Sequence, residues 1–171
     1  TLDLPLNPLP TPAQLNREIA WRQQELARAE ADGNAPVSRF HRALLGWAAD
    51  TLSASVRGSL PVSVPAEIQV LCLGDARLVG IPGEMFSELG KAIKNLFPAR
   101  PVLVLGYAND DIGYIPTRQA YASGGYEIDE AYKFYGYPAA LAPEAGDLLK
   151  QSITRLLEKC SGGAASNRSN C

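Results

Sequence analysis

A chain of 171 residues that is 46% apolar can bury one sizeable core, and a single domain is the natural expectation. Its formal charge of −2 carries no electrostatic footprint for nucleic acid. No run approaches ~18 consecutive apolar residues, which excludes a membrane-spanning helix within it.

The chain opens Thr1-Leu2-Asp3-Leu4-Pro5-Leu6, extended and punctuated by Pro5, Pro8 and Pro10, and reads as the inside of a longer protein, a C-terminal fragment. Thr11-Pro12 is a helix start, with Thr as N-cap and Pro at the first helical position, and the segment continues through Ala31 until Gly33 stops it. Its apolar stripe of Leu15, Ile19, Leu26 and Ala29 is narrow, so this helix is expected on the surface. A second helix from about Pro36 to Val56 repeats apolar residues at three-and-four spacing, Phe40, Leu44, Trp47 and Ala48 among them, with Gly58 as its stop. The short connection between the two implies an antiparallel hairpin. The lone histidine, His41, has no second ligand type at metal spacing and reads as a packing or surface residue.

Pro61 and Pro65 carry the chain onward in extended form. Glu67–Leu73 and Arg77–Ile81, joined by Gly74-Asp75, read as a β-hairpin. A helix is expected from about Met85 to Phe97, ended by Pro98, and then the strand Val102–Leu105, which together have the length of a βαβ crossover. Residues 106–127 sustain no period but hold Tyr107, Tyr114, Tyr121 and Tyr126, and a long loop inside a compact domain is either functional or disordered; the tyrosines argue for order. A short helix over Ile128–Tyr137 and an amphipathic helix over Ala142–Cys160 close the fold, followed by a Gly/Ser/Asn tail with a sequon at Asn167.

Three cysteines without CxxC spacing indicate neither a zinc knuckle nor a disulfide framework. Cys72, inside Val70-Leu71-Cys72-Leu73, reads as a small buried hydrophobe, and Cys160 and Cys171 bracket the tail and could pair.

These elements give an α/β fold. An extended lead-in and helical hairpin (residues 1–58) precede a mixed β-sheet with packed helices (59–160) and a tail (161–171), as a fragment of a larger α/β catalytic domain. Ligand sites in such sheets form beyond the carboxyl ends of the strands, where Pro82-Gly83-Glu84 and the loop from Tyr107 both lie. Glu84 is either a helix N-terminal charge or a ligand or acid/base group. Asp110-Asp111 lacks the alternate-ligand pattern of an EF-hand, and no GxSxG, Walker A or HExxH motif is present.

Ile81-Pro82-Gly83-Glu84-Met85-Phe86 with Gly90, then Gly106-Tyr107-Ala108-Asn109 with Gly113-Tyr114-Ile115 and Thr117, then Tyr121 and Gly125-Tyr126-Glu127, resemble the C-terminal part of the catalytic domain of the neutral/alkaline (non-lysosomal) ceramidase family, its bacterial branch in particular. The resemblance covers roughly residues 60–160, and the helical hairpin before it is similar too. It implies a zinc ion held by two histidines, a glutamate and a tyrosine, with Glu84 and Tyr114 as the last two, and a catalytic Tyr126 that stabilises an oxyanion. It also implies substrate binding by Tyr107 and Asn109, a ceramide-like lipid amide as substrate, and a secreted or periplasmic location. Both histidines are expected upstream of this chain, because His41 matches neither, so the fragment alone should bind zinc poorly and hydrolyse nothing. Ile115-Pro116-Thr117 departs from the Thr-Thr-Pro of better-known ceramidases, which leaves another amide or an ester open as substrate. The competing expectation is a non-catalytic α/β module whose Gly/Tyr loop serves carbohydrate or protein recognition.

Overall fold

The computed structural model describes residues 1–162; the sequon at Asn167 and Cys171 lie outside them. Thr11 caps α1 (Pro12–Ala31) through a reciprocal capping box with Gln14, two orphan backbone donors being satisfied at once. Asn34 caps α2 (Ala35–Val56), and Gly33, at φ 65°, makes the reversal that turns the pair into an antiparallel hairpin.

Three small sheets follow. β1 (Leu2–Pro5) pairs antiparallel with β2 (Ser63–Ala66), so the lead-in joins the strand that follows the hairpin. β3 (Gln69–Leu73) and β4 (Ala76–Gly80) form the expected hairpin about Gly74-Asp75, and β4 runs parallel to β6 (Val102–Leu105) across the helix α3 (Ser87–Lys94). The order β3-β4-β6 is therefore a mixed sheet. A third sheet joins β5 (Glu84–Met85) and β7 (Tyr114–Ile115) in parallel. The chain closes with α4 (Tyr126–Asp129), α5 (Ala131–Phe134) and α6 (Ala145–Gly162), the last packing on β1, β3 and α3. The architecture is α/β, as expected.

The core gathers Leu4, Val64, Val79, Ile81, Ile93, Ile115, Leu149, Ile153 and Leu157, all but fully buried. Burying such side chains contributes roughly 1.5–3 kcal/mol each, which is what holds α3 and α6 against the strands.

Several expectations need correction. The helix expected from Met85 begins at Ser87, because the Glu84 and Phe86 N–H groups donate to the Gly113 and Ile115 carbonyls at 2.9 and 3.1 Å and keep those residues extended. One helix over Ile128–Tyr137 is instead two short turns broken at Glu130, whose backbone leaves helical values at φ −126°. α1 lies on the surface as expected, with only Leu15, Arg22 and Ala29 buried among its twenty residues. Cys72 is not a buried hydrophobe: it lies on an exposed edge strand and forms a disulfide with Cys160, Cα to Cα 6.3 Å, where α6 passes β3. An apolar run in sequence does not distinguish an edge strand from a central one.

Candidate functional site at the ends of two parallel strands

β4 and β6 are parallel, and the two chain segments that leave their carboxyl ends wrap around each other. Ala108 N–H donates to Ile81 O at 3.0 Å, Tyr107 N–H to Gly83 O at 3.2 Å, and Ile112 N–H to Pro82 O at 2.8 Å. Gly83 has no room for a side chain, since a Cβ there would stand 2.6 Å from the Gly113 carbonyl oxygen. That close approach lets the same carbonyl accept from Glu84 N–H. The Pro82-Gly83 corner is thus clamped by main-chain bonds, and the residue after it has one position available.

β5 and β7 then bring Glu84 opposite Tyr114 in parallel register, which puts both side chains on the same face. Glu84 is half-buried and accepts a hydrogen bond on Oε2 from the Tyr107 hydroxyl. Tyr107 can reach it because its backbone adopts a left-handed φ of 54°, and Asn109 follows at 75°. Two non-glycine residues in that region cost on the order of 1–3 kcal/mol each, and such strain concentrates at functional sites. Tyr126 stands edge-on to Tyr114, ring centroids 6.3 Å apart, and is half exposed. Its carbonyl accepts from Glu130 N–H at 3.1 Å, while its hydroxyl has no hydrogen-bond partner among the described residues. Asn109 is exposed at the rim of the loop.

The electrostatics follow from this packing. The Tyr107 phenol is pushed well above the usual tyrosine range, first by its hydrogen bond to Glu84, then by desolvation and by the carboxylate charge. Burial, followed by the charge of Glu84, raises Tyr114. Tyr135, which the sequence reading did not single out, belongs to the same cluster: its ring packs where a side chain on Gly113 would stand, 2.9 Å from the missing Cβ. Burial raises its phenol, with further contributions from Asp111, Tyr126 and Glu84. The only sequence signal for it was the aromatic density of Tyr132, Phe134, Tyr135 and Tyr137.

Of the expected site residues, Glu84, Tyr107, Tyr114 and Tyr126 therefore come together, with Asn109 at the margin. Glu84 is not a helix N-terminal charge, because α3 starts at Ser87 and takes Glu88 as its first-turn acid. His41 lies elsewhere, buried in the hairpin with its Nδ1 3.3 Å from Arg22 and its ring flanked by Trp21 and Phe40, as a packing residue.

No protein-family profile matches the chain, and no curated protein matches it. Among solved structures, neutral ceramidase from Pseudomonas aeruginosa is similar at 26% identity and a TM-score of 0.45, over 59% of this chain and 16% of that one. A ceramidase complexed with C2 is similar at 27% identity and a TM-score of 0.44, over the same shares. The chain thus spans 16% of the length of the ceramidases it matches.

Proposed function

We propose that the chain is part of a zinc-dependent amidohydrolase of the neutral ceramidase kind, contributing Glu84 and Tyr114 to the metal and Tyr126 to the scissile carbonyl of a lipid amide such as ceramide. The observation that carries this reading is the state of Glu84. It is a half-buried carboxylate that forms no ion pair among the described residues, and it faces Tyr114 with Tyr107 bonded to it. A carboxylate so placed is short of a cation.

A carboxylate and a phenol oxygen suit zinc in kind but make only half of a four-ligand set. Among the described residues no group of three His, Cys, Asp or Glu could hold a metal alone. In this reading two histidines from sequence upstream of Thr1 complete the set. Zinc bound there supplies Lewis-acid polarisation of the carbonyl and acidifies water. Tyr107 fixes the orientation of the Glu84 carboxylate through its O–H, and Tyr126, its hydroxyl uncommitted, donates to the carbonyl oxygen as negative charge grows on it. The outer face of the β3-β4-β6 sheet, where Leu71, Leu73, Leu103 and Leu105 are 45–60% exposed, suits a larger catalytic domain that covers it. The Cys72–Cys160 disulfide suits a secreted or periplasmic setting.

The test is metal content by atomic emission, together with cleavage of N-acyl amides, on the chain expressed with its upstream sequence. One zinc per chain is expected, and its loss in Glu84→Gln and in Tyr114→Phe. Full occupancy in both variants removes the ligand assignment. The half-exposed phenols of Tyr107 and Tyr126 favour recognition without catalysis as the second reading. An upstream sequence lacking a pair of histidines decides in its favour.

A further inference from the structure

The second half of α2 and the segment after α5 enclose a groove of about 510 Å³, on the scale of small-ligand sites. One face of α2 lines it, with Trp47, Asp50, Ala54 and Arg57 recurring at three-and-four spacing, and Leu60 and Phe134 close it. The indole is fixed in place: Trp47 Nε1–H donates to the Tyr137 carbonyl at 2.8 Å, and the ring stands edge-on to Tyr132.

Three polar side chains lining the groove have their needs unmet. The Asp50 carboxylate is exposed and has neither an ion pair nor a hydrogen bond among the described residues. Arg57 bonds to the Ser53 hydroxyl, a neutral partner that leaves the guanidinium charge unbalanced. Thr51 is only 6% exposed, yet its hydroxyl has no hydrogen-bond partner among the described residues. Thr154 on α6 shows the usual alternative for a helical threonine, its hydroxyl donating to the Lys150 carbonyl one turn back at 2.9 Å. A largely buried hydroxyl left unpaired is a cost that an acceptor on a ligand removes. The other cation of the lining is already committed, since Lys133 is held by Glu130 at 3.1 Å and Glu18 at 3.7 Å. The groove therefore offers one acid, one base and one hydroxyl.

Their spacing selects the ligand. Asp50 and Arg57 are two turns apart on the same side of α2, about 10 Å along its axis. An extended peptide advances about 3.3–3.6 Å per residue, so roughly three residues span from an amino group at one end to a carboxylate at the other. Thr51, next to Asp50, is placed to donate to a peptide carbonyl between the two ends, and Trp47, Leu60 and Phe134 offer apolar surface to a side chain. We propose that this groove binds a short peptide with free termini, about three residues long and apolar in the middle, its amino group at Asp50 and its carboxylate at Arg57. None of these residues belongs to the Glu84 cluster, so the site stands or falls independently of the metal.

Calorimetric titration of the chain, expressed with its upstream sequence, tests this with alanyl-leucyl-alanine as the probe. Saturable one-to-one binding with a Kd below about 1 mM is expected. Acetylating the amino group and amidating the carboxylate should each weaken it about tenfold, the worth of a charged hydrogen bond, and glycine in place of the central leucine should do the same through lost burial. Asp50→Asn should bind the free and acetylated peptides within about twofold of each other while still preferring acid to amide, and Arg57→Met should show the reverse pattern. A general disturbance of α2 would not produce that exchange of preferences. Thr51→Val should weaken the parent peptide about fivefold. The proposal is overturned by an absence of saturable heat up to about 10 mM probe, by an affinity indifferent to either cap, or by both preferences persisting in both charge variants.

Discussion

Two clusters in this molecule set carboxylates among aromatic rings, and they treat the charge in opposite ways. In the hairpin, Arg22 is 2% exposed and gives its guanidinium to Glu18 at 2.9 Å and Glu130 at 3.2 Å, with Lys133 adding a second cation to both acids. Trp21 lies 4.2 Å from the guanidinium carbon and completes the enclosure. Every charge there has an opposite neighbour, and the cluster ties α1 to the break between α4 and α5. At the ends of β4 and β6, Glu84 has phenols around it and no cation among the described residues. A satisfied network braces a fold, whereas in the proposed reading the unneutralised carboxylate on its clamped backbone is the place for a cation.

Removing the central cation tests the bracing half of this contrast and should have the largest effect. Arg22→Met leaves Glu18 and Glu130 with Lys133 alone, and the loss of one partner from a buried charge network costs about 3 kcal/mol. Urea unfolding should report a fall of that size, and a fall below about 1 kcal/mol would reduce the hairpin cluster to an ordinary surface network.

The clamp beneath the second cluster is tested by Gly83→Ala. Its Cβ would meet backbone, the Gly113 oxygen at 2.6 Å, so the corner must move and about 1–3 kcal/mol of stability should go with it. The same shift displaces the carbonyl that accepts from Glu84 N–H, so zinc affinity of the chain with its upstream sequence should fall as well. A variant as stable as the parent would mean that the corner is not clamped.

The smallest effect on stability belongs to the site carboxylate. Glu84→Gln should change unfolding free energy by no more than about 0.5 kcal/mol, because no ion pair is lost. It should nevertheless change the alkaline titration of the phenols, followed by tyrosinate absorbance. In the parent, Tyr107 is raised chiefly by its bond to Glu84, while Tyr121 and Tyr132 are pushed up to about 12, mainly by burial. The neutral amide removes the charge that opposes phenolate, so Tyr107 should lose its proton at lower pH, toward the ordinary value of about 10, with Tyr121 and Tyr132 unmoved. A titration curve identical to the parent's would separate Tyr107 from Glu84.

Much of the hairpin was legible without coordinates. Thr11, Pro12, Gly33 and Gly58 act within a turn of themselves, and the α1 and α2 boundaries agree with the expected ones to within a residue or so. The β3–β4 hairpin and the parallel crossover to β6 were legible for the same reason, through a two-residue turn and a helix of standard length. The site was legible only in part. That Glu84 and the loop from Tyr107 meet was legible from the strand ends, whereas the metal-ligand roles of Glu84 and Tyr114 rested on motif resemblance. That Glu84 sits on a strand, and that Tyr135 joins the cluster, depended on which carbonyls the loop from Gly106 to Gly113 presents to the corner, and no local rule contains that.

Caps, turn residues and apolar spacing act over a few neighbouring residues, so the chain's own order was enough to specify its helices, its hairpin and the single crossover. The partners that distinguish the two charge clusters lie much further apart: 23 positions between Glu84 and Tyr107, 88 between Cys72 and Cys160, 108 between Arg22 and Glu130. Contacts at such separations depend on how the chain packs around the core of Ile81, Ile115 and Leu149. Folding in three dimensions therefore decided which carboxylates are neutralised and which one is left facing a ring of phenols.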